Sequence, residues 1–266
     1  EADADAYVVG LKSRSCPVDD AVRMSIASLE WLRRRGCTRF YFKYCSTFDS
    51  TDKGNIGPVA DALLTRLGVD RTIVCPSLPV NGRTVYKGYL FVHDELLHES
   101  GMRNHPTTPM RDSKLRRVLQ PQTSGSIAEI HSGVIDQGSD ALTARLNALA
   151  VEGARFVVLD TVRDEHLATI AESVSDFPLL TGASGLGGAI AAVYASRNAA
   201  AANAGFVAGT EGTPRRGRTV VVSGSCSAAT NRQVNRYREH AASRFVDPHR
   251  CVDDPRYVEE LYDWVT

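Results

Sequence analysis

Short apolar runs alternate with helical segments along most of this chain, and that alternation restricts the fold more than any other feature. Ala6-Tyr7-Val8-Val9-Gly10-Leu11 reads as a first strand. Asp19 and Asp20 then sit where a helix N-terminus favours negative charge, and Val22, Ile26, Leu29 and Leu32 recur at helical spacing before Gly36. Phe40-Tyr41-Phe42 is the next strand, and Pro58 opens a helix with Val59, Leu63 and Leu67 on one face. Thr72 to Cys75 and Phe156 to Leu159 are further strands, and Pro178-Leu179-Leu180 a short one. Between them, helices are expected from Asp112 or Ser113 through Leu119, over Ser139 to Glu152, and from Asp164. Strand–helix alternation predicts an α/β fold with a mainly parallel sheet covered on both faces.

The composition changes at Ser196 to Arg218, which is rich in Ala, Gly and Asn and carries Arg215, Arg216 and Arg218 around Pro214. It reads as a linker. Beyond it, Thr219-Val220-Val221-Val222 is a strand, Ser223-Gly224-Ser225-Cys226-Ser227 a turn, and Ala228 onward a helix; Glu259, Leu261 and Trp264 fall in a last helical segment. The expected organisation is a first domain over 1–195, a linker over 196–218, and the opening units of a second α/β domain over 219–266.

Lys+Arg and Asp+Glu both number 31, so no global field favours nucleic acid. No apolar stretch is long enough to span a bilayer. The six cysteines are scattered without a CxxC pair, which fits reduced thiols in a cytoplasmic protein better than a disulfide framework or a zinc site.

Two polar runs follow strands. Lys43 to Pro58 contains Lys43, Ser46, Asp49 and Lys53; Pro79 to Tyr86 contains Asn81, Gly82 and Arg83. Ligands of parallel sheets bind beyond the carboxyl ends of the strands. The cations, carboxylates, hydroxyls and amide of these runs suit a small polyhydroxy anion. The first run is equally a solvated loop in which Asp49 or Ser50 caps the next helix. Asn81-Gly82 is equally a plain hairpin turn, with Arg83 either on the surface or clamping a carboxylate or phosphate through its fork. Lys12 to Ser15, including Arg14, ends the first strand on the same rim and is either an anion site or a surface loop. His105 lies in a loop with Thr107 and Thr108, as a substrate-positioning group or a structural one. Thr181 to Gly188 is a glycine-rich turn without the Walker lysine. Ser223 to Ser227, between strand and helix, has the arrangement that aims backbone N–H groups at a phosphate, with Thr230 on the first helical turn; an ordinary βα turn has it too.

These residues also carry a family resemblance. The runs Phe42 to Thr51, Lys53 to Val59 and Pro79 to Tyr86 are similar, with Glu99-Ser100-Gly101-Met102, His105-Pro106, Thr108-Pro109-Met110 and Asp112-Ser113, to the four-carbon acid sugar kinases. So is Ser223 to Ser227 with Thr230-Asn231 and Gln233-Val234. The resemblance runs from Asp5 to the last residue. It implies a two-domain kinase that moves the γ-phosphoryl of ATP, with Mg²⁺, to the terminal hydroxyl of a four-carbon keto acid sugar of the 3-oxo-tetronate type. An erythronate- or threonate-type acid is the alternative substrate. The first domain would bind the acid through Lys12, Arg14, Lys43, Ser46, Asp49, Asn81, Gly82, Arg83 and His105. Asp49 is the acidic residue in view for catalysis. Ser223, Gly224, Ser225, Ser227 and Thr230 would contact ATP. Neither a nucleic-acid nor a membrane partner is implied, and a homo-oligomer is compatible.

The chain starts at Glu1, just before its first expected strand. The resembling kinases are longer, beginning with an Asp-Asp-x-Thr-Gly-Ala loop and ending with a Gly-Gly-x-Thr-Ser loop that are not in this sequence. The expectation is therefore a fragment of such a kinase with little kinase activity of its own, and a non-catalytic sugar-acid-binding module is the alternative. A dehydrogenase fits the fold pattern but lacks GxGxxG with a following acidic residue after the first strand.

Overall fold

The central strands are the most apolar segments of the chain, and they lie in the middle of the sheet. In the computed structural model, β2 (Thr72–Cys75), β7 (Phe156–Leu159) and β8 (Leu179–Gly182) are buried at every position. Strands covered on both faces need no polar alternation, and these have none. The structure describes residues 4, 6–105, 107–197, 219–224 and 228–266. The chain divides into two compact units, Glu1–Gly205 and Phe206–Thr266.

In the first unit a parallel sheet has the order β1-β8-β2-β7-β6, with β1 at Phe40–Lys43 and β6 at Ile127–Ile130. Helices α1 (Val18–Arg34), α2 (Ile56–Leu67) and α3 (Leu115–Leu119) contribute to one apolar core. On the other face lie α4 (Ser132–Ile135), α5 (Ser139–Val151), α6 (Asp164–Ser173) and α7 (Ser184–Arg197). Helix α1 carries Asp19 and Asp20 in its first turn and Arg33 and Arg34 in its last, matching the helix dipole at both ends. Ala21, Ser25 and Leu29 form its buried stripe. After β2 the chain makes an antiparallel meander of β3 (Arg83–Tyr86), β4 (Tyr89–Val92) and β5 (Glu95–Leu96).

Several sequence expectations are corrected. Ala6 to Leu11 is not a strand: among the described residues no sheet ladder includes it, and Val8 is 96% exposed. Thr219 to Val222 also has no ladder partner, and Val222 is 89% exposed. A β-strand exists only where a neighbour takes its N–H and C=O groups, and apolar composition alone does not supply one. The Thr181 to Gly188 segment is not a loop: it completes β8 and begins α7. Its glycines serve close packing, since a Cβ at Gly182 would stand 2.6 Å from the Cys75 carbonyl oxygen, and one at Gly185 2.8 Å from that of Ser77. The linker expected over 196–218 falls almost wholly outside the described residues.

The second unit, among its described residues, contains α8 (Ala228–Tyr237), α9 (Pro248–Asp253) and α10 (Pro255–Val265). Asp247 caps α9 by accepting from the His249 and Arg250 N–H groups, and Asp254 caps α10 by accepting from Arg256. Tyr257 is its buried pivot, with the Arg250 guanidinium 4.0 Å from the ring centroid.

Candidate functional site

The carboxyl rim of the sheet divides into two halves with different contents. Over β2, β7 and β6 the rim is closed by the β3–β4 hairpin. Lys87 and Gly88 form its two-residue turn, both at positive φ (52° and 72°), the geometry whose twist matches that of the strands. The buried carboxylate of Asp160, at the end of β7, accepts from the N–H groups of Lys87 (2.8 Å), Gly88 (2.8 Å) and Ser132 (3.1 Å). Asp160 thus pins both the hairpin tip and the start of α4. His131 Nδ1 lies 3.5 Å from the same carboxylate but lacks hydrogen-bond geometry to it.

Asn81 and Gly82 lie in a turn closed by paired backbone hydrogen bonds between Leu78 and Arg83. Gly82 has φ of 68°, and a Cβ there would strike His93 Nδ1 at 2.2 Å. The Arg83 guanidinium donates Nη1 to the Asn81 carbonyl, and its buried Nε–H has no partner. Asn81 itself is exposed.

Over the β1 half the rim is polar and recessed. Asp49 is buried, and its carboxylate accepts from Arg14 Nη2 and from Thr47 Oγ1. Arg14 also contacts Cys45 Sγ at 3.0 Å, and Asn55 Nδ2 donates to the carbonyls of Ser13 (2.6 Å) and Cys16 (3.3 Å). The segment around Arg14 is thereby latched onto the loop after β1. Lys12 and Lys43 are exposed, and Ser46 is half-buried.

The segment after the meander completes this half. A 3-10 turn at Gly101–Asn104 is capped by Ser100, whose Oγ accepts from the Met102 N–H, and the Met110 N–H donates to the Met102 carbonyl at 3.0 Å. His105 sits inside the loop so closed. Its Nδ1 accepts from the Thr108 N–H at 3.1 Å, so the neutral ring carries its proton on Nε2. Partial burial, then the Arg14 charge, holds the His105 pKa below the ordinary histidine value. Arg117 grips Asp112 with two bonds of 2.6 and 2.7 Å, and that bond first of all lowers the Asp112 pKa.

Two cavities of about 380 Å³ each open here. One is lined by Arg103, Asn104 and Arg111. The other is lined by Ser50, Thr51 and Asp52 of the β1 loop together with Pro109 to Asp112, Arg117, Val118 and Pro121. Arg111 borders both.

The structure therefore brings Arg14 and Asp49 into contact and places His105 within reach of Arg14's field. Asn81, Gly82 and Arg83 sit on the same rim, past β8, with no recorded contact to Asp49. Ser223 and Gly224 are exposed, Thr230 lies in the first turn of α8, and Ser225 and Ser227 fall outside the described residues. Sequence reasoning missed Asp160, Arg103, Arg111 and Arg117. The first follows a buried strand as a lone acid; Arg103 and Arg111 lie in a stretch without strand or helix period, and Arg117 lies on the expected helix through Leu119 with nothing in sequence to mark it as functional. Among the described residues no cluster of three or more His, Cys, Asp or Glu could hold a metal, and no helix is long and apolar enough to cross a membrane.

Comparison with known proteins follows the same division. Residues 1–190 match the family model described as a sugar-binding N-terminal domain, and residues 220–266 match that of a nucleotide-binding C-terminal domain. A 3-oxo-tetronate kinase of Pectobacterium atrosepticum is 52% identical over 270 residues, covering 100% of this chain and 62% of that protein. The crystal structure of a Haemophilus influenzae protein aligns with a TM-score of 0.73 at 47% identity, over 99% of this chain and 62% of the other. A Bordetella bronchiseptica protein, solved with bound citrate as a domain-swapped dimer, aligns at 0.59 and 28% identity, over 71% of this chain and 44% of its own. The chain spans about three fifths of the length of the curated relatives it matches.

Proposed function

This chain belongs to the four-carbon acid sugar kinase family, and from that we propose that it serves ATP-dependent phosphorylation of the 4-hydroxyl of 3-oxo-tetronate. The observation that carries the substrate is the 52% identity to a 3-oxo-tetronate kinase along the whole of this chain. In this reading the first unit is the acid-binding domain and the second contributes nucleotide contacts. The β1 loop and the 100–121 segment hold the acid between them. Arg14 and His105 supply a cation and a neutral ring N–H. Lys12, Lys43, Ser46, Asn81, Gly82 and Arg83 flank the site on the same side of the sheet.

Asp49 is the proposed acceptor of the hydroxyl proton. Both of its oxygens are engaged by Arg14 and Thr47, so this role requires Arg14 to leave it for the substrate. The Arg14 side chain is 56% exposed and tethered only at its head, which permits that exchange. ATP would meet Ser223, Gly224, Ser225, Ser227 and Thr230, with Mg²⁺ carried on its phosphates. Phosphoryl transfer is mostly positioning and charge neutralisation, and the residues named here orient the acceptor and exclude water. A cytoplasmic location suits the free thiols. The Bordetella relative's dimer supports a homo-oligomer, and its citrate belongs to the same class of small hydroxylated carboxylates.

The test is phosphoryl transfer from ATP to 3-oxo-tetronate, erythronate and threonate in parallel, with titration of each acid alone. Preferred transfer to 3-oxo-tetronate supports the reading. Preference for another acid transfers it to that substrate. Acid binding without transfer leaves this chain a sugar-acid-binding module, and no binding of any acid contradicts the proposal.

A further inference from the structure

We propose that Arg103 and Arg111 are the paired clamp for the carboxylate of the bound acid, with Arg111 dividing an anion-binding cavity from a hydroxyl-binding one. The inference rests on the sugar-acid reading for the identity of the anion.

Three arginines line the two cavities, Arg103, Arg111 and Arg117, and Arg14 lies on the same half of the rim. Arg14 is matched by Asp49 and Arg117 by Asp112, each through direct ion pairs. Arg103 and Arg111 have no carboxylate or carbonyl partner for their side chains among the described residues, yet they line one cavity together. Two guanidinium groups sharing a recess without a counter-charge repel each other, and an anion between them converts that repulsion into two charge-assisted contacts. The backbone holds them side by side. Each follows a methionine, Met102 or Met110, and these two methionines are joined by the 3.0 Å hydrogen bond from the Met110 N–H to the Met102 carbonyl. Met110 is 2% exposed and Met102 packs against the same core, so both arginines project from anchored positions. Asn104 beside them offers an amide to the same ligand.

The neighbouring cavity is mixed, adding hydroxyl and carboxylate acceptors to Arg111 and the Asp112-paired Arg117. Ser50, Thr51 and Asp52 line it, and Ser50 Oγ already donates to Gln122 Oε1 at 2.9 Å, leaving its lone pairs to accept. Acceptors of this kind suit sugar hydroxyls and repel a carboxylate. Arg111 borders both spaces, so it reads the junction between the acid group and the first hydroxyl-bearing carbons. Arg83, by contrast, turns its Nη1 onto the Asn81 carbonyl of its own turn.

The experiment is calorimetric titration of the 266-residue protein with erythronate, with 3-oxo-tetronate, with the uncharged tetritol erythritol, and with inorganic phosphate. The variants are Arg103→Gln, Arg111→Gln and, as a control on an exposed arginine outside both cavities, Arg116→Gln. Circular dichroism verifies that each variant is folded. Erythronate affinity is expected to fall about tenfold or more in Arg103→Gln and Arg111→Gln, in line with a lost charge-assisted contact. It should stay within twofold in Arg116→Gln, and erythritol binding should not distinguish the variants. Erythronate affinity unchanged in both cavity variants overturns the clamp. Should neither erythronate nor 3-oxo-tetronate bind the parent while phosphate binds in an Arg103- and Arg111-dependent way, the anion clamp stands and the sugar-acid reading falls. Should none of the three anions bind, both fall.

Discussion

Asp160 shows how much one side chain decides in this fold. Its carboxylate is 1% exposed and satisfies three backbone N–H groups from two separate segments. Each buried donor left without a partner costs about 1–3 kcal/mol, so Asp160→Ala should destabilise the first unit by roughly 3 kcal/mol or more. Urea denaturation measures it, and a loss below about 1 kcal/mol would mean that water replaces the carboxylate. Gly88 is the partner in that contact. A Cβ there would lie 2.4 Å from Glu129 Oε1 and 2.9 Å from Lys114 Nζ, within an ion pair of 2.9 Å. Gly88→Ala should therefore lower the melting temperature through both clash and backbone strain, and an unchanged Tm would show that the pair simply swings aside. Cys75 offers a chemical reading of the same core. Burial pushes its thiol up to about 11, so it should resist alkylation at pH 8 in the native protein and react only on unfolding. Rapid native labelling of Cys75 would contradict the central placement of β2.

At the scale of elements, the parallel sheet was legible and the meander was not. The strands over Thr72 to Cys75 and Phe156 to Leu159 stand as their apolar runs predict, because centrally placed parallel strands are uniformly buried. Ile127–Ile130 escaped notice because Glu129 interrupts its run; as an edge strand it can turn that residue toward Lys114. The β3–β4 turn lies at Lys87-Gly88 rather than Asn81-Gly82, because Pro79 and the Leu78–Arg83 pairing make the earlier pair a separate closed turn. Part of the candidate site was legible too. Asp49 was named from the end of β1 and Arg14 from the end of an expected strand that does not form, and the two side chains are in contact. Arg103 and Arg111 carry no periodic signal, and the Met102–Met110 hydrogen bond brings their positions together. That loop also carries the pH dependence. The His105 pKa is lowered in the fold, so the stability it lends is full above the unfolded histidine value near about 6.5 and lost as pH falls through the lower folded value. Protonating Nδ1 removes the acceptor for the Thr108 N–H. An NMR titration of the ring should place His105 below an ordinary histidine and show the Thr108 amide moving with it. A midpoint at or above the ordinary value would contradict the loop geometry.

At the scale of the whole molecule, the two proposed ligands fall to different units. In the proposed reading the acid would bind Glu1–Gly205, at the rim half left open by the Asp160-pinned hairpin. The nucleotide would meet the segment entering α8. Family membership supports the chemistry proposed, and the first-unit rim is where the proposed acceptor would be held. Hydrogen–deuterium exchange of the 266-residue protein, with erythronate and with ATP added separately, tests this division most directly. Erythronate should slow exchange over residues 44–55 and 97–121 and leave 219–234 unchanged. Slowing confined to 219–234, or absent from both first-unit segments while the acid is bound, would contradict the account.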